Sequence, residues 1–160
     1  MKIAVFAGSF DPFTLAHQDI VMRALPLFEK IIIAIGINSS KQGLMAPPQR
    51  KKAIEDVFVG NTAVEVAFFE GLTVEFCRRH QAQYLLRGLR NTKDFEYENA
   101  IAQNNLLLAP QIETYLLMSR GAMAHISSTI VRDILKNKGS VNALLPQAVM
   151  RYLDTNESVL

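Results

Sequence analysis

Cysteine is nearly absent. The chain of 160 residues has one, Cys77, which excludes an intrachain disulfide and any zinc site built on a cysteine cluster. That usage favours a reducing compartment, and Cys77 itself reads as a small core residue. Long apolar runs are missing too: the longest, around Ile31 to Ile37, is strand-sized against the ~20 residues that a membrane span requires, so a soluble chain is predicted. Charge of one sign is scarce. With 17 basic and 15 acidic residues the net charge is +2, short of a dedicated nucleic-acid binder, and 49% apolar residues exclude the composition of a disordered chain. Any anion binding must therefore be local.

The glycines exclude more. There are 8, none one residue apart from another and none followed by lysine, so the dinucleotide fingerprint G-x-G-x-x-G and the Walker A loop are both absent. His17, His80 and His125 lack metal-ligand spacing, and Ser9 stands outside a G-x-S-x-G elbow, which leaves zinc and serine hydrolases without support.

What is present is a repeated pattern. Continuous apolar runs at Ile3–Ala7, Ile31–Ile37, Val64–Phe69, Tyr84–Leu86 and Thr114–Met118 predict buried strands. The first also reads better as a strand than as a signal sequence, having one lysine and ending at Asp11-Pro12. Helical spacing links the runs through Ile20, Val21, Ala24 and Phe28, then Ala53, Ile54, Val57 and Phe58, then Val74, Phe76 and Cys77, then Phe95, Ile101 and Leu108. Pro26 should kink or end the first helix, and Pro47-Pro48 should start the second. A helix over Ile130–Leu135 and a last one after Pro146 complete the set. Strands apolar on both faces call for an α/β fold: a Rossmann-like doubly wound sheet of five parallel strands with flanking helices. The length fits one domain, 1–160, with a polar tail frayed from about residue 154.

In such sheets ligands sit beyond the carboxyl ends of the strands, where helix N-termini point into a crevice. After strand one, Gly8-Ser9-Phe10-Asp11-Pro12 leads to Thr14 as N-cap and His17 in the first helical turn, either cationic or neutral. After strand five, Ile126-Ser127-Ser128-Thr129 opens another helix, capped by Ser127 or Ser128. Arg87 and Arg90 follow strand four, and Lys41 follows strand two. Singly, each has an ordinary reading as a cap or a surface charge. Together they fall on one rim and predict a basic, donor-rich crevice suited to two phosphorylated ligands. Of the carboxylates after Arg90, Asp94 and Glu96 read as a solvated acidic face, whereas Glu98 is open to orienting a ribose or a cation-bound water.

These motifs, with Thr14-x-x-His17, Arg87-Gly88-Leu89-Arg90, Asp94-Phe95-Glu96-Tyr97-Glu98 and Ile126-Ser127-Ser128-Thr129, resemble those of bacterial phosphopantetheine adenylyltransferases over nearly the whole chain. Ala16 stands where that family's T-x-G-H motif has glycine. The resemblance implies transfer of the adenylyl group of ATP to 4′-phosphopantetheine, giving dephospho-coenzyme A and pyrophosphate with Mg²⁺ required. It implies that Ser9 touches both ligands, that Phe10 and His17 bind ATP, and that His17 steadies the transition state with Lys41 and Arg90 beside it. Lys41, Thr73 and Arg87 would hold phosphopantetheine. Gly88, Leu89, Arg90, Glu98 and the run Met123, Ala124, His125, Ile126, Ser127, Ser128, Thr129 would surround ATP. The metal ligands are not named by it. A cytoplasmic homohexamer inhibited by coenzyme A is also implied, with no nucleic acid or membrane as partner. The alternatives are an enzyme using nicotinamide mononucleotide or glycerol 3-phosphate as acceptor, against which the R-G-L-R and D-F-E-Y-E segments argue, or a non-catalytic nucleotide-binding module.

Overall fold

A computed structural model describes residues 1–38, 40 and 42–154. Lys41 and the tail beyond Asp154, both singled out above, lie outside the described residues. The strands are β1 (Ile3–Gly8), β2 (Lys30–Gly36), β3 (Val64–Phe69), β4 (Tyr84–Leu89) and β5 (Glu113–Met118), and the helices are α1 (Leu15–Ala24), α2 (Pro47–Val57), α3 (Thr73–Arg79), α4 (Thr92–Leu108), α5 (Ser128–Lys136) and α6 (Gln147–Asp154). The strands form one parallel sheet in the order β3-β2-β1-β4-β5.

The central strands β1 and β2 are apolar on both faces because alternate residues enter different cores, whereas the edge strand β5, expected to be buried, has no buried residue. Ala4 and Phe6 of β1, with Ile31, Ile33 and Ile35 of β2, pack under α1, α2, α5 and α6; Ile3, Val5 and Ala7, with Ile32 and Ala34, pack under α3. Cys77 is buried in the second core, as expected.

α1 ends at Ala24, and a 3-10 turn over Leu25–Leu27 holds Pro26, so the proline stops the helix and Phe28 lies outside it in extended backbone. Two further expectations fail. In α4 the spacing of Phe95, Ile101 and Leu108 does not mark a core face: Phe95 and Leu108 are exposed, and the only buried residue of the helix is Glu98. The reason is pattern. Leu106, Leu107 and Leu108 are consecutive, which spreads apolar surface around the helix instead of along one stripe. Strand β4 also runs beyond Leu86, because its ladder with β5 continues through Arg87↔Leu116, Gly88↔Leu117 and Leu89↔Met118.

That extension opens the crevice. Pairing between β1 and β4 stops at Phe6↔Leu86, while β1 continues to Gly8 and β4 to Leu89. Past Leu86 the two strands part at the point where strand order reverses, the position at which open α/β sheets take ligands.

Candidate active site

The first turn of α1 is built by its own sequence. Thr14, fully buried, takes the N-cap: its hydroxyl accepts the His17 backbone N–H at 3.4 Å, and its own N–H donates to His17 Nδ1 at 3.0 Å. A histidine thus replaces the usual Glu or Gln of a capping box. Because Nδ1 accepts, the ring proton of the neutral imidazole must sit on Nε2.

The rings of Phe6, Phe10 and Phe13 lie 6.1, 5.1 and 5.3 Å from that of His17. This dry surround lowers the His17 pKa from 6.5 to about 4, with smaller contributions from the charges of Arg90 and Arg87. The lowered value favours a neutral N–H donor at neutral pH over the cation, the other choice left open by the sequence. Phe10 holds its place with a positive φ of 47°, a conformation that a bulky residue adopts only when its neighbours over-determine it. Gly8 makes this possible, since a Cβ there would stand 3.0 Å from the Phe10 ring.

The depressed pKa has a consequence for stability. Between about pH 6.5 and 4 the unfolded chain binds a proton at His17 and the folded chain does not, so the contribution is complete above 6.5 and is lost as pH falls. Chemical unfolding at pH 7 and pH 5 should differ by about 2 kcal/mol from this residue alone. His17→Gln should lack that share; an unchanged pH slope in the variant would show that the imidazole titrates normally.

The crevice has a volume of about 290 Å³ and brings together Ser9, Phe10 and His17, then Arg87, Gly88 and Arg90 with Glu98, then Ile126, Ser127, Ser128 and Thr129. An adjoining hollow of about 350 Å³ contains Thr73 and Asn38. Ser9 and Arg87 line both, so the two hollows share one wall. Leu89 is buried and lines neither; Met123 and Ala124 are half-buried and His125 is exposed, and none of the three lines either hollow. At α5 the cap is Ser127, whose hydroxyl accepts the Ile130 N–H at 3.2 Å, while Ser128 Oγ donates to the Pro12 carbonyl at 2.7 Å.

The arginines are not loose surface charges. Arg87 donates from Nε and Nη2 to Glu98 at 2.8 and 2.6 Å, and from Nη1 at close range to the Ala7 carbonyl. Arg90 donates from Nε and Nη2 to Asp94 at 2.9 and 3.2 Å, and this bonding holds the Asp94 carboxyl below its usual range. Asp94 is therefore a partner of the site and not part of a solvated face, which corrects its sequence reading; Glu96 remains exposed. The positive character of the crevice is moderated by two carboxylates, each presenting an arginine in a fixed bidentate geometry. Sequence reasoning weighed Asp94 and favoured the solvated face because spacing alone does not show that its carboxylate turns back onto Arg90.

Among the described residues no group of three or more His, Cys, Asp or Glu side chains is placed to hold a metal ion. Asp94 and Glu98, the carboxylates on the crevice, are both committed to arginine. No helix among the described residues is long and apolar enough to cross a membrane.

The chain is similar to known proteins over most of its length. A family model described as cytidylyltransferase-like matches residues 5–134. A phosphopantetheine adenylyltransferase of Leptospira biflexa is 48% identical over 158 residues, covering 99% of each chain. Another, of Flavobacterium psychrophilum, is 46% identical over 93% of this chain and 98% of its own. A third, of Coxiella burnetii, is 43% identical over 94% of each. The chain belongs to the cytidylyltransferase-like family and, within it, to the phosphopantetheine adenylyltransferases, which are nucleotidyltransferase enzymes.

Proposed function

We propose that the chain joins ATP to 4′-phosphopantetheine by direct in-line attack. An oxygen of the acceptor phosphate forms a bond to the α-phosphorus of ATP, the bond from that phosphorus to the bridging oxygen of the β-phosphate breaks, and pyrophosphate leaves with the electron pair. Dephospho-coenzyme A is the other product. The observation that carries this reading is the shared wall: Ser9 and Arg87 stand between two hollows, one with His17 and Arg90 and one with Thr73. Two anionic ligands placed in them would meet at those residues.

The one thiol of the chain is not poised to form a covalent intermediate. Cys77 is buried away from the crevice and its thiol is pushed up to about 12 by desolvation. What is asked of the protein is alignment and charge stabilisation, of which alignment alone supplies up to ~7–11 kcal/mol. His17 supplies the Nε2–H to charge developing on the transferring phosphoryl group. Arg87 grips the acceptor phosphate beside Ser9; Arg90, Glu98 and the backbone from Ile126 to Thr129 flank ATP. Mg²⁺ would enter with the polyphosphate of ATP, where it would offset the negative charge of the leaving pyrophosphate.

Cytoplasmic location, inhibition by coenzyme A and a homohexamer complete the proposal. Exposed Leu107 and Leu108 of α4 and Met118 on the edge strand β5 supply apolar surface for such an assembly. Pyrophosphate release measured with phosphopantetheine, nicotinamide mononucleotide and glycerol 3-phosphate in turn tests the acceptor. Release with phosphopantetheine alone is expected, and tight ATP binding without acceptor-dependent release would make the chain a binding module instead. Lys41→Ala should weaken phosphopantetheine binding and slow turnover while leaving the dissociation constant for ATP largely unchanged. A fall confined to ATP affinity would place that lysine on the wrong ligand.

A further inference from the structure

A buried polar cluster outside the reacting groups is centred on Asp11 and Arg50, which are 6% and 8% exposed. The Asp11 carboxylate accepts the backbone N–H groups of Leu44 and Met45, each at 2.8 Å, and Arg50 Nε lies 3.3 Å from its Oδ1. Arg50 donates to the Met45 carbonyl at 2.8 Å and to the Ser9 carbonyl at 3.2 Å. From the other side Arg132 of α5 donates to the Asp11 carbonyl at 2.7 Å. Gly43 fits the same arrangement: a Cβ there would overlap the Arg50 guanidinium and stand 2.7 Å from the Asp11 carboxylate.

Three chain segments are tied through this cluster: the turn after β1 that carries Ser9, the stretch Gly43–Ala46 leading into α2, and α5, whose first turn lines the crevice. A buried ion pair is a poor source of stability, because desolvating both charges offsets their attraction, and apolar residues of the same volume often do as well. What an apolar pair would not do is hold backbone groups of two separate segments at hydrogen-bonding distance. Among the described residues the bonds made by the side chains of Asp11 and Arg50 go to main-chain atoms or to each other.

We infer that Asp11 and Arg50 are positioning residues for the transfer reaction: they fix the turn carrying Ser9 against the segment that follows β2, and so set the separation between the two ligand hollows. Neither side chain lines the crevice, so both act through the main chain that does. The inference rests on the two-ligand reading above. Since in-line transfer needs its reacting atoms aligned, a shift of about 1 Å costs on the order of 10²-fold in rate.

The test uses Arg50→Lys and Asp11→Asn in the full chain. Lysine keeps the charge but cannot reach the Met45 and Ser9 carbonyls together; asparagine keeps the shape but loses charge and one acceptor oxygen. Both keep a polar group in the buried position, and folding is checked by circular dichroism melting before assay well below the transition. The expected result for each is a fall in kcat of at least about 10-fold, with KM for ATP changed less than about threefold. A purely structural pair would lower the melting temperature without moving kcat at low temperature, and that outcome overturns the inference. Failure of both variants to fold would overturn it as well, since the pair would then be a requirement of the fold and not of alignment. Wild-type enzyme run alongside separates the two readings: no pyrophosphate release from it with phosphopantetheine refutes the proposed reaction, whereas release from it matched by both variants refutes only the positioning role.

Discussion

His17→Ala is expected to lower kcat by about 10²–10³-fold, with KM for ATP little changed. The magnitude is that of removing one preorganised donor from a site where charge develops. The split between kcat and KM follows from the chemistry, because a neutral Nε2–H gains most from the transition state, in which negative charge on the phosphoryl oxygens is being redistributed. The preorganisation is visible in the bonds on the far side of the ring. Thr14 fixes Nδ1 as the acceptor, three phenylalanine rings fix the plane, and burial keeps the imidazole neutral. Losing the ring also removes half of the capping box, at about 1 kcal/mol, which lowers the melting temperature slightly and cannot account for a hundredfold loss of rate. Steady-state pyrophosphate release with both substrates saturating decides the matter; an alanine enzyme with wild-type turnover would remove His17 from the mechanism.

Arg87→Ala should have the largest combined effect on stability and turnover. Glu98 is 8% exposed and receives two hydrogen bonds from the guanidinium, so truncation strands a buried carboxylate. The cost is about 3 kcal/mol, at the low end for breaking a buried pair because the Arg87 side chain keeps 29% of its exposure. Turnover falls for a separate reason, the loss of the cation on the wall between the hollows. The double variant Arg87→Ala with Glu98→Gln separates the two: replacing the stranded charge by an amide should recover most of the unfolding free energy and none of the activity. Denaturant unfolding and an activity assay on the same preparation give both numbers. A double variant as active as wild type would confine Arg87 to a structural role.

The parts legible in the sequence are those whose physics is local. The central strands declare themselves because both faces of the sheet are buried there, so no polar residue interrupts Ile31–Ile35. Thr14 and Ser127 are legible as caps because a cap needs a hydroxyl just before the helix. Pro26 marks the end of α1 through its missing N–H. The rim itself follows from strand order, which puts Ser9, His17, Arg87 and Ser128 on one crevice although they are scattered along the chain.

Other features depend on distant partners. Whether Arg87 is loose or held depends on which way α4 turns Glu98, and α4 has no apolar stripe to fix its rotation from sequence. The protonation of His17 depends on rings contributed by Phe6, Phe10 and Phe13, which ordinary pattern reading assigns only to the core. Asp11 and Arg50 are 39 residues apart, and no spacing rule links them. Their pairing becomes visible only when β1 and β2 lie side by side.

The most direct measurement follows the α-phosphorus itself. With ATP carrying sulfur stereospecifically at that position and 4′-phosphopantetheine as acceptor, one displacement at phosphorus inverts its configuration, and the product should have the mass of the thio analogue of dephospho-coenzyme A. Retention of configuration would require two displacements and an adenylylated protein, and a product mass lacking the pantetheine portion would mean that no transfer occurs; either result would contradict direct attack across the wall formed by Ser9 and Arg87.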